Sequence, residues 1–275
     1  MPGPLRVLLY CVLGAAPMLI GALGDGKAAE WALSGLVMAA AFVPVALFGP
    51  PRTRGQFGVI LPALGIITVF CTWSEALLFV RAPEIRDHAA RNLAGSLVMY
   101  GIVGCVLAVL PRLLKLTREQ GSAIERRSPA SVAALVLACG LAYALYYLVF
   151  GAITYQYFTK GYYPEAEEIA RGLGLWFWAI QVGRGALMTA AVLPAIYTLR
   201  MPRMQAAVAI GLLIWIAGGA APLLIPNALM TTTQRFIHVV EIFTQNAALG
   251  ATAVLLLRPR RARTMAAPPR VPGAA

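Results

Sequence analysis

Leu93–Leu110, LAGSLVMYGIVGCVLAVL, decides the fold. These residues carry no charge, and at a rise of ~1.5 Å per residue a helix of this length covers most of the ~30 Å of hydrocarbon in a bilayer. Periodicity cannot assign the stretch to a water-facing element, because it has no polar face. In lipid the backbone must satisfy its own hydrogen bonds, so the segment is expected to be a helix that crosses a membrane.

Working outward, the same pattern recurs along the chain. Further apolar blocks run over Leu5–Leu23, Trp31–Phe48, Phe57–Val80, Val132–Ile153, Leu175–Tyr197, Met204–Ile225 and Phe236–Leu257. With Leu93–Leu110 they make eight spans. Composition agrees: 60% of the 275 residues are hydrophobic and only 12% charged, about half the charge of a soluble domain. Segments of alternating hydrophobicity, the mark of a membrane barrel, are absent. The fold class expected is therefore an all-α integral membrane protein with about eight transmembrane helices. The first block resembles a signal peptide, since Arg6 precedes an apolar run. The run is long for one, however, and no clear small-residue cleavage site follows, so a retained span is expected.

The net charge of +12 sits in short loops. Fifteen Lys and Arg fall on the side of the N-terminus, loops 2–3, 4–5 and 6–7 and the C-terminal tail, and seven on the other. The positive-inside rule makes both termini cytoplasmic, in a bacterial inner membrane. It also explains the basic balance through membrane lipids as partners, without nucleic acid. Acidic residues, among them Asp25, Glu30, Glu84, Asp87, Glu165, Glu167 and Glu168, gather on the outer side. So do Trp31, Trp176, Trp178, Tyr155, Tyr157, Tyr162 and Tyr163, as interfacial aromatic rings do. Pro164 followed by three glutamates predicts a short outer surface helix.

An internal repeat is legible. GLVMAAAFVP at Gly35–Pro44 matches GALMTAAVLP at Gly185–Pro194 at five of ten positions, and each is followed by a cytoplasmic Arg. Gly104 precedes Arg112 as Gly250 precedes Arg258. The organisation expected is a first four-helix repeat over residues 1–118, a basic linker over 119–129, a second repeat over 130–257 and a disordered basic tail over 258–275. Four spans per unit give both halves the same orientation.

Charges inside spans are costly and point to function. Arg184 and Glu241 lie well inside spans 6 and 8, and Glu75 lies near the outer end of span 3. Arg235, His238, Glu241 and Gln245 fall on one face of span 8, and Gln181 is one turn from Arg184. The candidate site, binding a substrate or ion, is Arg184, Glu241, His238, Gln181, Glu75 and Arg235. Arg184 is expected to pair with Glu241, with Gln181 and His238 completing the hydrogen bonds.

His238, Glu241 and Glu75 make a poor metal set, and His88 with His238 a poor haem site, so no metal and no cofactor is expected. Cys11, Cys71, Cys105 and Cys139 lie in apolar blocks with no C-x-x-C pair and read as buried side chains. Exosortase-like membrane transpeptidases are similar in size and use Cys, Arg and His, an order matched by Cys139, Arg184 and His238. Their Ala-Cys-Ser-Gly surroundings are not matched at Ala138-Cys139-Gly140.

The C-terminal segments Pro226-Asn227-Ala228-Leu229-Met230, Arg235-x-x-His238-x-x-Glu241 and Asn246-x-x-x-Gly250 resemble a pattern in a group of bacterial multi-pass membrane proteins. Gln181-x-x-Arg184-Gly185 belongs with them. These segments cover 30 of the 275 residues, and the resemblance implies no activity. The function expected is transport or permeation of a small solute, ion or lipid through an outward-facing intramembrane polar site. The alternatives are an intramembrane enzyme acting on a lipid-linked substrate and a non-catalytic subunit of a membrane complex. A homo-oligomer or membrane-complex partner fits the small-residue helix faces.

Overall fold

The computed structural model describes residues 3–79, 86–117, 124, 127–161, 166–227 and 230–259. Among these there is no strand, and eight helices are long and apolar enough to cross a membrane. They are α1 (Pro4–Gly24), α2 (Ala28–Phe48), α3 (Thr53–Leu77), α4 (Ala89–Leu113), α5 (Pro129–Phe158), α6 (Leu175–Thr198), α7 (Arg203–Leu224) and α8 (Thr232–Leu257). The chain is an all-helical, multi-pass membrane protein. Side chains such as Leu137, Leu141, Leu145 and Leu148 form an exposed apolar stripe down α5. In water such a stripe would be an association site; against lipid it is the expected outer surface.

Local chemistry sets the ends of the helices. Gly26 adopts the left-handed conformation, φ 71°, and returns its N–H to the Ala22 carbonyl, closing α1. Pro129 starts α5 behind a Ser128 cap that accepts from the Ser131 N–H. Thr231 and Gln234 form a reciprocal capping box at the start of α8. The predicted surface helix is present as Ala166–Leu173, while Pro164 and Glu165 lie outside the described residues. So do Tyr162, Tyr163, Glu84, most of the 119–129 linker and the tail beyond residue 259. Helix α5 runs past the expected end at Ile153, because Tyr155–Thr159 continue it with π geometry.

Sequence neighbours pack as antiparallel pairs: α1 with α2, α3 with α4, α5 with α6 and α7 with α8. Helix α1 packs on α4, and α5 on α8. Between these groups α3 meets α6, α2 meets α7, and α3 meets α7. Exchanging the two four-helix groups leaves this list unchanged. Burial follows the same exchange. Helix α2 buries Ser34, Gly35, Met38, Ala39, Ala41, Phe42, Val45 and Ala46, and α6 buries the residue 150 positions on from each, from Arg184 to Ile196. Small residues make the close contacts. A Cβ on Gly104 would meet Leu61 at 2.7 Å, and one on Gly250 would meet the backbone of Gly211 at 2.6 Å.

Several spans are not α-helical throughout. The ladder widens to π geometry over Ala63–Cys71 in α3, Tyr147–Gly151 and Tyr155–Thr159 in α5, and Ile216–Ala220 in α7. In α7 the cause is visible. Pro222 has no N–H for the Gly218 carbonyl, and its ring pushes that carbonyl away, so the turn before it opens.

Candidate functional site

Helices α3 and α6 pack against each other, and this sets the partner of Arg184. Arg184 Nη2 donates to Glu75 Oε2 at 2.6 Å, and Nη1 donates to Gln181 Oε1 at 3.0 Å. Arg184 therefore pairs with Glu75 from α3, and the expected pair with Glu241 does not form. Glu241 instead lies 3.1 Å from His238 Nδ1, one turn earlier on α8. The reason is reach: at a spacing of three residues His238 meets Glu241 within its own helix, while Glu75 stands across from Arg184 on the neighbouring one.

The two pairs share a small cavity of about 10 Å³, the room of one water molecule. Its wall includes Cys71 and Glu75 of α3, Tyr143 and Tyr147 of α5, and Arg184 of α6. Gly218 of α7 and His238, Glu241, Gln245 and Asn246 of α8 complete it. The Arg184 guanidinium carbon lies 6.0 Å from the Tyr143 ring centroid, within cation–π range. Arg184 and Glu241 each lie nine residues into their helices, about 14 Å from the helix starts. The cavity thus occupies the half of the bundle away from the chain termini.

Of the four π segments among the described residues, three contribute to this wall, through Ile67 and Cys71 of α3, Tyr147 of α5 and Gly218 of α7, and Tyr155–Thr159 does not. Widened turns re-aim side chains and recur at functional sites. Their convergence on one cavity separates this region from an ordinary helix contact.

Hydrogen bonding is incomplete around the cavity. Arg184 is 7% exposed, Gln181 0%, Gln245 2% and Asn246 3%. Among the described residues Arg184 Nε, Gln181 Nε2, Gln245 Nε2 and Asn246 Oδ1 have no partner. Buried polar atoms are nearly always paired, so four such atoms around one ion pair call for an explanation.

Arg235 does not join the site. Its Nη1 donates to the Leu223 and Leu224 carbonyls and its Nη2 to Thr232 Oγ1, which fastens the end of α7 to the start of α8. Helix-end carbonyls lack intrahelical donors, and a guanidinium satisfies them. Cys139 is buried but is not in the cavity wall; the thiol that is there belongs to Cys71. The Cys139–Arg184–His238 arrangement considered from sequence is therefore not assembled. Among the described residues no three His, Cys, Asp or Glu side chains group as a metal site. Sequence reading also missed Cys71, Tyr143 and Tyr147. Their i, i+4 spacings, Cys71 to Glu75 and Tyr143 to Tyr147, were the available signal.

No protein-family model, no curated protein and no solved structure matches the chain.

Proposed function

We propose that the protein is a carrier of the bacterial inner membrane, with both termini cytoplasmic, that moves a small solute or ion past Arg184. The observation that carries this reading is the Arg184–Glu75 pair, Arg184 buried and Glu75 half-buried, set in a cavity where three π-widened helices meet. A pair serving only to fix helix register has no need of a cavity, of unpaired donors beside it, or of loosened helix turns. The two halves are proposed to descend from one four-helix unit. The α2/α6 burial register and the exchangeable packing scheme support this. So do the matching contacts of Gly104 with Leu61 and Gly250 with Gly211. On that scheme Ser34 stands where Arg184 stands, and its hydroxyl donates to the Ala221 carbonyl of α7 at 2.7 Å. One interface between the halves is closed by a neutral hydrogen bond and the other holds the charges. The site is then single and its α3–α6 interface is the moving one.

An intramembrane enzyme is the second reading, favoured by the position of the cavity in one half of the bundle. Cys71 discriminates the two, since it lines the cavity as a native thiol. With Cys11, Cys105 and Cys139 replaced by alanine, a membrane-impermeant maleimide is expected to label Cys71 from either face of oriented vesicles. Labelling from the outer face alone would overturn the carrier reading and favour the enzyme. Absence of labelling from both faces would assign the pair to structure.

A further inference from the structure

Arg184 uses only half of its side-on fork. A guanidinium offers two parallel donors along the Nε–Nη2 edge, matched to the two oxygens of a carboxylate. Glu75 takes Nη2 through a single oxygen, and Nε has no acceptor. Gln245 Nε2, a second buried donor in the wall, is also without an acceptor. The unspent capacity beside the ion pair is thus mainly donor capacity, which suits an anion. The fork shape suits one with two oxygens on a common atom.

Charge then sets a condition. The ionisable groups facing the cavity are Cys71 and Glu75 from α3, Tyr143 and Tyr147 from α5, Arg184 from α6, and His238 and Glu241 from α8; α7 contributes only Gly218. The Arg184 charge is already balanced by Glu75, and Glu241 is bonded to His238, so a further anion brings an uncompensated negative charge unless a proton enters with it. An anion that takes both donors of the fork displaces Glu75 from Nη2. The displaced carboxylate is left within the bundle without its partner, a strongly disfavoured state unless it is protonated. The departing Glu75 group also frees the space, which the cavity alone does not supply.

Resting on the carrier reading for its context, we infer that the site binds a small monocarboxylate on the Nε–Nη2 fork of Arg184 together with one proton that neutralises Glu75. Glu75 and Arg184 start as an ion pair; the bound state holds an ion pair of Arg184 with the solute carboxylate, and Glu75 as a neutral acid. The site's net charge does not change, so the transferred unit is one anion with one proton.

The test is proton uptake by the purified chain in weakly buffered detergent on addition of potassium formate or acetate, with potassium chloride as comparator. Wild type is expected to take up about one proton per chain with the carboxylates and little with chloride. Glu75→Gln is expected to take up none, while formate still protects Cys71 from maleimide, independently of pH. Arg184→Lys keeps a positive partner for Glu75 but loses the fork. Its half-saturation with formate should rise about tenfold or more, the equivalent of one charge-assisted hydrogen bond. Equal uptake with chloride would overturn the two-oxygen assignment. Uptake that survives Glu75→Gln would move the proton to His238 or Glu241 and overturn the exchange. No uptake with either carboxylate, in wild type that retains its thermal unfolding transition, would overturn the inference as a whole. This readout needs no transport. One-sided labelling of Cys71 would therefore remove the carrier reading without touching it, and absent uptake would remove it without touching the carrier reading.

Discussion

Arg184→Ala is expected to lower the melting temperature of the detergent-purified chain far more than Glu241→Gln does. Removing the guanidinium leaves Glu75 without its partner and Gln181 Oε1 without its donor, inside a bundle surrounded by hydrocarbon. Breaking one side of a buried pair costs about 3–5 kcal/mol, because the remaining charge stays desolvated. For a chain of this size that corresponds to a fall of roughly 10 °C. Glu241→Gln leaves the Arg184–Glu75 pair intact and retains a hydrogen-bonding partner for His238, so a loss of about 1 kcal/mol or less is expected. Combining Arg184→Ala with Glu75→Gln should restore part of the loss, since the stranded charge is then gone. Fluorescence-monitored thermal unfolding of wild type and the three variants measures this directly.

Gly250→Ala is the second change with a large expected effect, and it acts through packing alone. The added carbon would lie 2.6 Å from Gly211 Cα and 2.7 Å from Gly211 N. Both neighbours are backbone atoms, so no side chain can swing aside and α7 must separate from α8. Overpacking of this kind costs about 1–3 kcal/mol. The separation also reaches the site, because Gly218 of α7 and Glu241, Gln245 and Asn246 of α8 share the cavity wall. A Cβ on Gly101, by contrast, meets nothing within 4 Å. Gly101→Ala should leave both unfolding temperature and formate-linked proton uptake unchanged, while Gly250→Ala should lower both. Equal behaviour of the two variants would remove the α7–α8 contact from the explanation.

The spans were legible because hydrocarbon imposes a length and a composition on every helix that crosses it. Leu93–Leu110 lies within α4, and Leu175–Tyr197 within α6 with only the terminal residue differing. The polar residues were legible for the same reason: Arg184 and Glu241 stand out because few other charges occur within the apolar blocks. Their pairing was not legible. Residue spacing fixes which groups share a face of one helix, and so His238 and Glu241 could be joined. Which helix stands opposite Arg184 depends on how α3 and α6 pack, through buried apolar residues such as Ile67 and Met188 that carry no distinguishing pattern. The π segments were hidden more deeply. Pro222 marks one of them, but Tyr147–Gly151 contains no proline, and its widening has no sequence signature. Arg235 read as a member of the site because it shares a face with His238. Its guanidinium was drawn away by the free carbonyls at the end of α7, which only the packed structure brings within reach.

The pairing of Arg184 with Glu75 is the claim on which the site, its proton and its solute all depend, and a charge exchange tests it most directly. Arg184→Glu and Glu75→Arg should each destabilise the chain, and their combination should recover at least half of the lost unfolding temperature. Recovery by Arg184→Glu with Glu241→Arg, and none with Glu75→Arg, would show that Arg184 faces the other carboxylate and would contradict the account.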